Sequence, residues 1–142
     1  TANRAKGKNT FIFIDEIYLL FQHEYSANFL FTLWKRVRKY GAFATGITQN
    51  VEDCLRSVTA RTMLANSEYL VLLNQAPTDQ IELAKLLNIS DNQMSHVDSV
   101  GFGRGLIKCG SNIVPFVDNF PKDTKLYRLM STKPEEMQQN VS

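Results

Sequence analysis

The chain has 142 residues, of which 44% are apolar, 21% charged and 11% aromatic. This suits one globular domain with its own core and excludes collagen-like, low-complexity and disulfide-framework classes. A formal net charge of +2 is too small to argue for nucleic acid as the partner.

Cys54 and Cys109 lack metal-ligand spacing and read as packed thiols of a reducing compartment. His23 and His96 have no partner at ligand spacing, so no metal site of protein ligands is implied. No run approaches the roughly 18 apolar residues of a membrane span, and no signal peptide is read.

After a polar, basic start comes Phe11-Ile12-Phe13-Ile14-Asp15-Glu16. Four apolar residues predict a strand buried on both faces of a parallel sheet. Two carboxylates then fall at the sheet's carboxyl edge, where open α/β folds bind ligands. This is the layout of a Walker B element: Asp15 would hold Mg²⁺ and Glu16 would orient or deprotonate the attacking water. A plainer alternative is a strand followed by an acidic helix start.

Ile17–Phe21 continues as a short helix or loop. A helix is predicted from Ser26 or Ala27 to about Tyr40, with Phe29, Leu30, Leu33, Trp34 and Val37 on its apolar face. Lys35, Arg36, Arg38 and Lys39 load its last turns and Gly41 ends it. Ala42–Ile47 is a second strand, running into Thr48-Gln49-Asn50. Helical pieces over Val51–Leu55 and Val58–Leu64 flank Ser57, and Glu68–Leu73 reads as a third strand of the same parallel sheet.

Pro77-Thr78-Asp79 opens a helix packed through Ile81, Leu83, Ala84, Leu86 and Leu87 and closed by Asn88. Ser90-Asp91-Asn92-Gln93 is a capping box. Leu106–Cys109 and Ile113–Val117 form a hairpin around Gly110-Ser111-Asn112. Lys125–Leu129 is read as an edge strand, and Thr132-x-x-Glu135 as the cap of a last helix. With no repeat and no linker, residues 1–142 form a single domain.

Three groups of residues are candidates for chemistry besides Asp15 and Glu16. Gln49 can hydrogen-bond a γ-phosphate oxygen and the lytic water, or simply cap the next helix, as Thr48 or Asn50 could equally. The basic cluster at Lys35–Lys39 is a solvated helix end or supplies an arginine finger across a subunit boundary. Arg56, Arg61 and Arg104 are further fingers or nucleotide contacts. Gly101-Phe102-Gly103-Arg104-Gly105 is not a phosphate loop, and no G-x-x-x-x-G-K followed by Ser or Thr occurs in the chain.

FIFIDEIYLL, WKRVRKYG, FATGITQN, ARTMLANSEYLVLLNQ, GRGLIKCGSNIVPF and YRLMSTKPEE occur in that order. The ordered set resembles the C-terminal half of the conjugation ATPases of type IV secretion systems, the TraC/TraE class of the FtsK–HerA group, in the flavour of Gram-positive conjugative elements. The resemblance implies a RecA-like α/β fold: a parallel sheet flanked by helices, present here as a partial domain, with a C-terminal β-hairpin. It implies an ATP- and Mg²⁺-dependent motor, homo-oligomeric as a hexamer or dimer, with other secretion-system subunits as partners. The motor would sit in the cytoplasm, peripheral at the inner face of the membrane, powering channel or pilus assembly and DNA or protein transfer. A DNA translocase of the same group and a non-catalytic domain of the same fold are the alternatives; the small charge does not favour DNA gripped by this portion. Carried onto this chain, Asp15 becomes the magnesium residue through water and Glu16 the catalytic glutamate. Gln49 matches the family's glutamine after the next strand, Arg36, Arg38 and Lys39 fall in its Arg/Lys motif, and Arg104 falls in its late glycine-rich motif. Gln49 and Arg38, with Arg61 from the reading of its own apolar segment, are the further catalytic candidates, and Arg104 is the candidate nucleotide contact. The phosphate loop would lie upstream, leaving this portion alone inactive.

Overall fold

The computed structural model describes residues 2–97 and 103–131. A short helix α1 (Ala2–Ala5) precedes strand β1 (Thr10–Ile14), a 3-10 helix (Ile17–Phe21) and α2 (Glu24–Arg36). A second 3-10 helix (Val37–Tyr40) leads into β2 (Ala42–Gly46), followed by α3 (Val51–Arg56), α4 (Val58–Ala65) and β3 (Tyr69–Leu72). Then come α5 (Pro77–Leu87), α6 (Asp91–Met94), β4 (Arg104–Cys109), β5 (Asn112–Val117) and α7 (Lys125–Met130).

β1 and β2 pair in parallel, from Thr10 opposite Ala42 to Ile14 opposite Gly46. Their connection is α2, the crossover that a parallel pair requires. This mixed α/β architecture with a C-terminal hairpin is the expected class. Burial of β1 is one-sided, however. Ile12 and Ile14 are half-buried, whereas Phe11 is 64% and Phe13 69% exposed. Phe11 stacks on Phe43 across the open face, with ring centroids 5.2 Å apart. Strict alternation, hidden in the sequence because phenylalanines on one face and isoleucines on the other are all apolar, is what the backbone imposes.

Strand β3 does not extend the parallel pair. It joins β4 and β5 in a separate antiparallel sheet of order β3-β4-β5, with Leu72 opposite Leu106. Leu70 and Leu72 face inward while Tyr69 and Val71 are exposed, the alternation of an antiparallel sheet with one solvated face. The hairpin turns at Gly110-Ser111, between paired Cys109 and Asn112.

Two cores result. The larger gathers Leu55, Leu72, Leu83, Leu87, Val97 and Leu106 under the antiparallel sheet. The smaller joins Ile17, Leu30 and Met63 beneath the parallel pair. α4 serves both, since Met63 belongs to the smaller core and Leu64 packs on the larger. Ile81, expected on the packing face of α5, is instead exposed.

The bounds of α2 and the type of the Lys125–Leu129 segment differ from expectation for local reasons. α2 starts at Glu24 because the Ser26 hydroxyl donates back to the Leu20 and His23 carbonyls instead of capping. It tightens to 3-10 geometry at Val37 and ends at Gly41, whose φ of 65° is the left-handed C′ conformation. Lys125–Leu129 is helical, not an edge strand. The Thr124 hydroxyl accepts the Tyr127 N–H at 3.2 Å and so starts α7. The Ser90–Gln93 capping box starts α6 as expected, and Ser57, between the two expected helical pieces, accepts the Ala60 N–H and starts α4. The expected helix after Thr132 lies outside the described residues.

Leu106 is fully buried in the centre of the larger core. Leu106→Ala should lower unfolding free energy by about 2–5 kcal/mol, read from denaturant titration. A loss below 0.5 kcal/mol, on the order of a surface substitution, would contradict that placement.

Candidate active site

The carboxyl ends of β1 and β2 carry the acidic pair and the Thr48-Gln49-Asn50 turn. The backbone there is irregular. The Ile47 N–H donates to the Ile14 carbonyl at 2.9 Å, and the Ile17 N–H donates to the Ile47 carbonyl at 3.0 Å. In a regular parallel ladder one residue bonds to two positions two apart on its neighbour. Here they are three apart, so Asp15 and Glu16 together occupy the place of one residue. The pair forms a bulge-like turn where β1 gives way to the 3-10 helix, and like a bulge it re-aims the side chains at the strand end.

Glu16 takes up the extra length with φ 49° and ψ 44°, the left-handed region that costs a residue with a Cβ roughly 1–2 kcal/mol. Its N–H donates to Asp15 Oδ1 at 3.0 Å. One Asp15 oxygen therefore braces the bulge and the carboxylate stays exposed.

The turn after β2 assigns its three polar residues distinct jobs. Thr48 Oγ1 accepts the Asn50 N–H at 3.1 Å. The Asn50 carbonyl oxygen of the side chain accepts the Asp53 N–H at 3.1 Å and caps α3. Gln49 does neither. It lines a cleft of about 450 Å³ together with Glu16, Tyr18, Asn50, Glu52, Thr78 and Asp79.

The cleft is acidic. Glu16, Glu52 and Asp79 line it, and no Lys or Arg does among the described residues. Burial pushes the Asp79 carboxyl above its usual range, with Glu52 and then Glu82 adding to the rise. Arg56 ion-pairs with Glu52 and Asp53 from the outside of α3. Carboxylate, amide and hydroxyl oxygens form the hard donor set that suits hydrated Mg²⁺. Among the described residues no three His, Cys, Asp or Glu side chains are grouped so as to hold a metal ion. An ion here would keep waters and share its coordination with phosphates, as Mg²⁺ commonly does.

Glu16 and Gln49 are thus brought to one cleft, whereas Asp15, next in the chain, is exposed and is not among its lining residues. The three arginines are not brought there either. Arg38 lies in the 3-10 helix before β2, at the amino end of the pair where the Thr10 N–H meets the Gly41 carbonyl. At ~3.3 Å per residue a strand's length separates it from the cleft, so within one chain it does not join Glu16. Arg61 is exposed on α4. Arg104 lines a second cleft with His96, Pro115 and Phe116 on the antiparallel sheet. Tyr18, Glu52, Thr78 and Asp79 had no distinguishing signal in the sequence beyond helix-start composition.

A model of the TraG P-loop domain matches residues 2–129. The structure of VirB4 of Thermoanaerobacter pseudethanolicus superposes with a TM-score of 0.72 at 27% identity, covering 92% of this chain. The chain spans 33% of the length of that structure. No curated protein matches the chain. No helix among the described residues is long and apolar enough to cross a membrane.

Because its folded-state pKa is raised, the ionised Asp79 opposes folding at neutral pH, and the penalty disappears as pH falls below the unfolded value near 3.8. Asp79→Asn should therefore raise the melting temperature at pH 7, with the gain vanishing below that pH. A gain that persists or grows in acid would refute the electrostatic account of the cleft.

Proposed function

From a chain that belongs to the TraG P-loop domain family, we propose that it carries the water-activating side of an ATP-hydrolysing motor in a conjugative type IV secretion system. The family and the VirB4 match agree with the conjugation and type IV secretion ATPase resemblance of the sequence. The observation that carries the reading is the convergence of Glu16 and Gln49 on one cleft at the carboxyl edge of a parallel pair.

In this reading Glu16 holds and deprotonates the attacking water, and Gln49 hydrogen-bonds that water and a γ-phosphate oxygen. Asp15 holds a magnesium ion through water, using the oxygen that does not brace the bulge. Bound Mg·ATP supplies the electrophilic phosphorus and the charge neutralisation of the leaving group. The acidic cleft offers triphosphate no counter-charge of its own. The phosphate loop is therefore assigned to another part of the same domain, of which this chain is the C-terminal portion. The exposed Phe11, Phe13 and Phe43 support such an arrangement, since parallel sheets are covered on both faces.

Arg38, remote from its own cleft, suits a finger reaching a neighbouring subunit of a homo-oligomer. Arg61 is a second finger and Arg104 a nucleotide contact. The motor works at the cytoplasmic side of the membrane with other secretion-system subunits, passing DNA or protein.

Glu16→Gln in the full-length protein should lower ATP turnover by about 10²–10⁴-fold, the worth of a general base, while nucleotide affinity stays within a factor of about three, under 1 kcal/mol. Hydrolysis at the unsubstituted rate would remove the basis of the reading.

A further inference from the structure

Gly46 is the last residue of β2, paired with Ile14, and precedes the Ile47 that pins the bulge. A Cβ at Gly46 would lie 2.6 Å from Ile17 Cδ1, 3.4 Å from Ile17 Cγ2 and 3.4 Å from the outer ring carbon of Trp34. Ile17 therefore fills the space that any side chain at position 46 would need. Ile17 is 6% exposed and packs in the smaller core with Leu30 and Met63. Trp34 is itself anchored, its Nε1–H donating to Ser67 Oγ at 3.3 Å.

Ile17 is also the residue directly after Glu16, and its N–H closes the bulge onto the Ile47 carbonyl. A left-handed Glu16 has little torsional room to absorb a shift of its neighbour. The clash falls on the terminal methyl of Ile17, but the core leaves that side chain little room to turn aside, so part of its relief passes through the Ile17 backbone to Glu16. We propose that Gly46 is a positioning residue for hydrolysis, because its missing side chain lets Ile17 lock the bulge that presents Glu16. The inference rests on Glu16 as the water-activating group. It assigns Gly46 no contact with nucleotide, so a substitution acts on turnover and not on nucleotide affinity.

The test compares Gly46→Ala, Ile17→Val, the double variant and Glu16→Gln in the full-length protein, by steady-state ATPase rate and by binding of a fluorescent ATP analogue. Gly46→Ala should lower kcat about ten- to hundredfold, as misplacement of a reacting group by up to 1 Å does, with analogue affinity unchanged. Ile17→Val removes the Cδ1 methyl that an added Cβ would strike. The double variant should therefore return to within about threefold of Ile17→Val, a coupling that independent sites do not show. Wild-type kcat in Gly46→Ala, with Glu16→Gln inactive, overturns the positioning role and leaves the assignment of Glu16 standing. Active Glu16→Gln overturns the assignment itself. A kcat loss without rescue, or a loss of analogue affinity in place of kcat, also overturns the proposal. Should Gly46→Ala fail to fold, the double variant against Ile17→Val carries the test: equal kcat is expected, and a tenfold loss, about 1.4 kcal/mol of barrier, refutes it.

Discussion

Two backbone hydrogen bonds at Ile47, one given to Ile14 and one taken from Ile17, hold β1 and β2 together across one residue too many. Everything at the carboxyl edge follows from that pair of bonds. They force the Asp15-Glu16 segment to bulge, put Glu16 in a left-handed conformation and spend one Asp15 oxygen on bracing it. They also tie the acidic pair to the Thr48-Gln49-Asn50 turn, because Ile47 is shared by both. Strain of roughly 1–3 kcal/mol at one residue persists only where its surroundings over-determine it. Here the surroundings are the ladder bonds on either side and the buried Ile17.

The same edge divides labour among polar residues. Thr48 and Asn50 satisfy the turn and the start of α3, which releases Gln49 into the cleft. Burial, and then the nearby Glu52 and Glu82, raise the Asp79 carboxyl, so charge in that cleft is costly in the free protein. It favours a cationic occupant, and a hydrated divalent ion shared with phosphates meets that need without further protein ligands. The second sheet contributes from a distance. Its buried face holds α5 in place, and α5 brings Thr78 and Asp79 to the cleft wall.

Much of this was legible in the sequence because it is local. Asp15, Glu16 and Gln49 stand out as strand-end residues, and Gly41 and the Ser90–Gln93 box announce their caps by residue type. What the sequence concealed is pairing and alternation. EYLVLL reads as a two-sided strand until Leu72 is seen opposite Leu106 in an antiparallel sheet. Lys125–Leu129 has strand-like composition, yet one Thr124 hydroxyl tips it into a helix. The bulge has no composition signal, since it exists only as a mismatch between two strands. Which residues share an end of the sheet is also hidden: Arg38 precedes β2 and so lies at the opposite end of the parallel pair from Gln49, which follows it.

The most direct measurement is a structure of the full-length protein with Mg²⁺ and a non-hydrolysable ATP analogue. The account predicts the γ-phosphate in the cleft between β1 and β2, with a water within about 3.2 Å of both the Glu16 carboxylate and the Gln49 amide. The two Ile47 hydrogen bonds should be intact in that state. A γ-phosphate bound elsewhere, with Glu16 and Gln49 facing solvent, would contradict it.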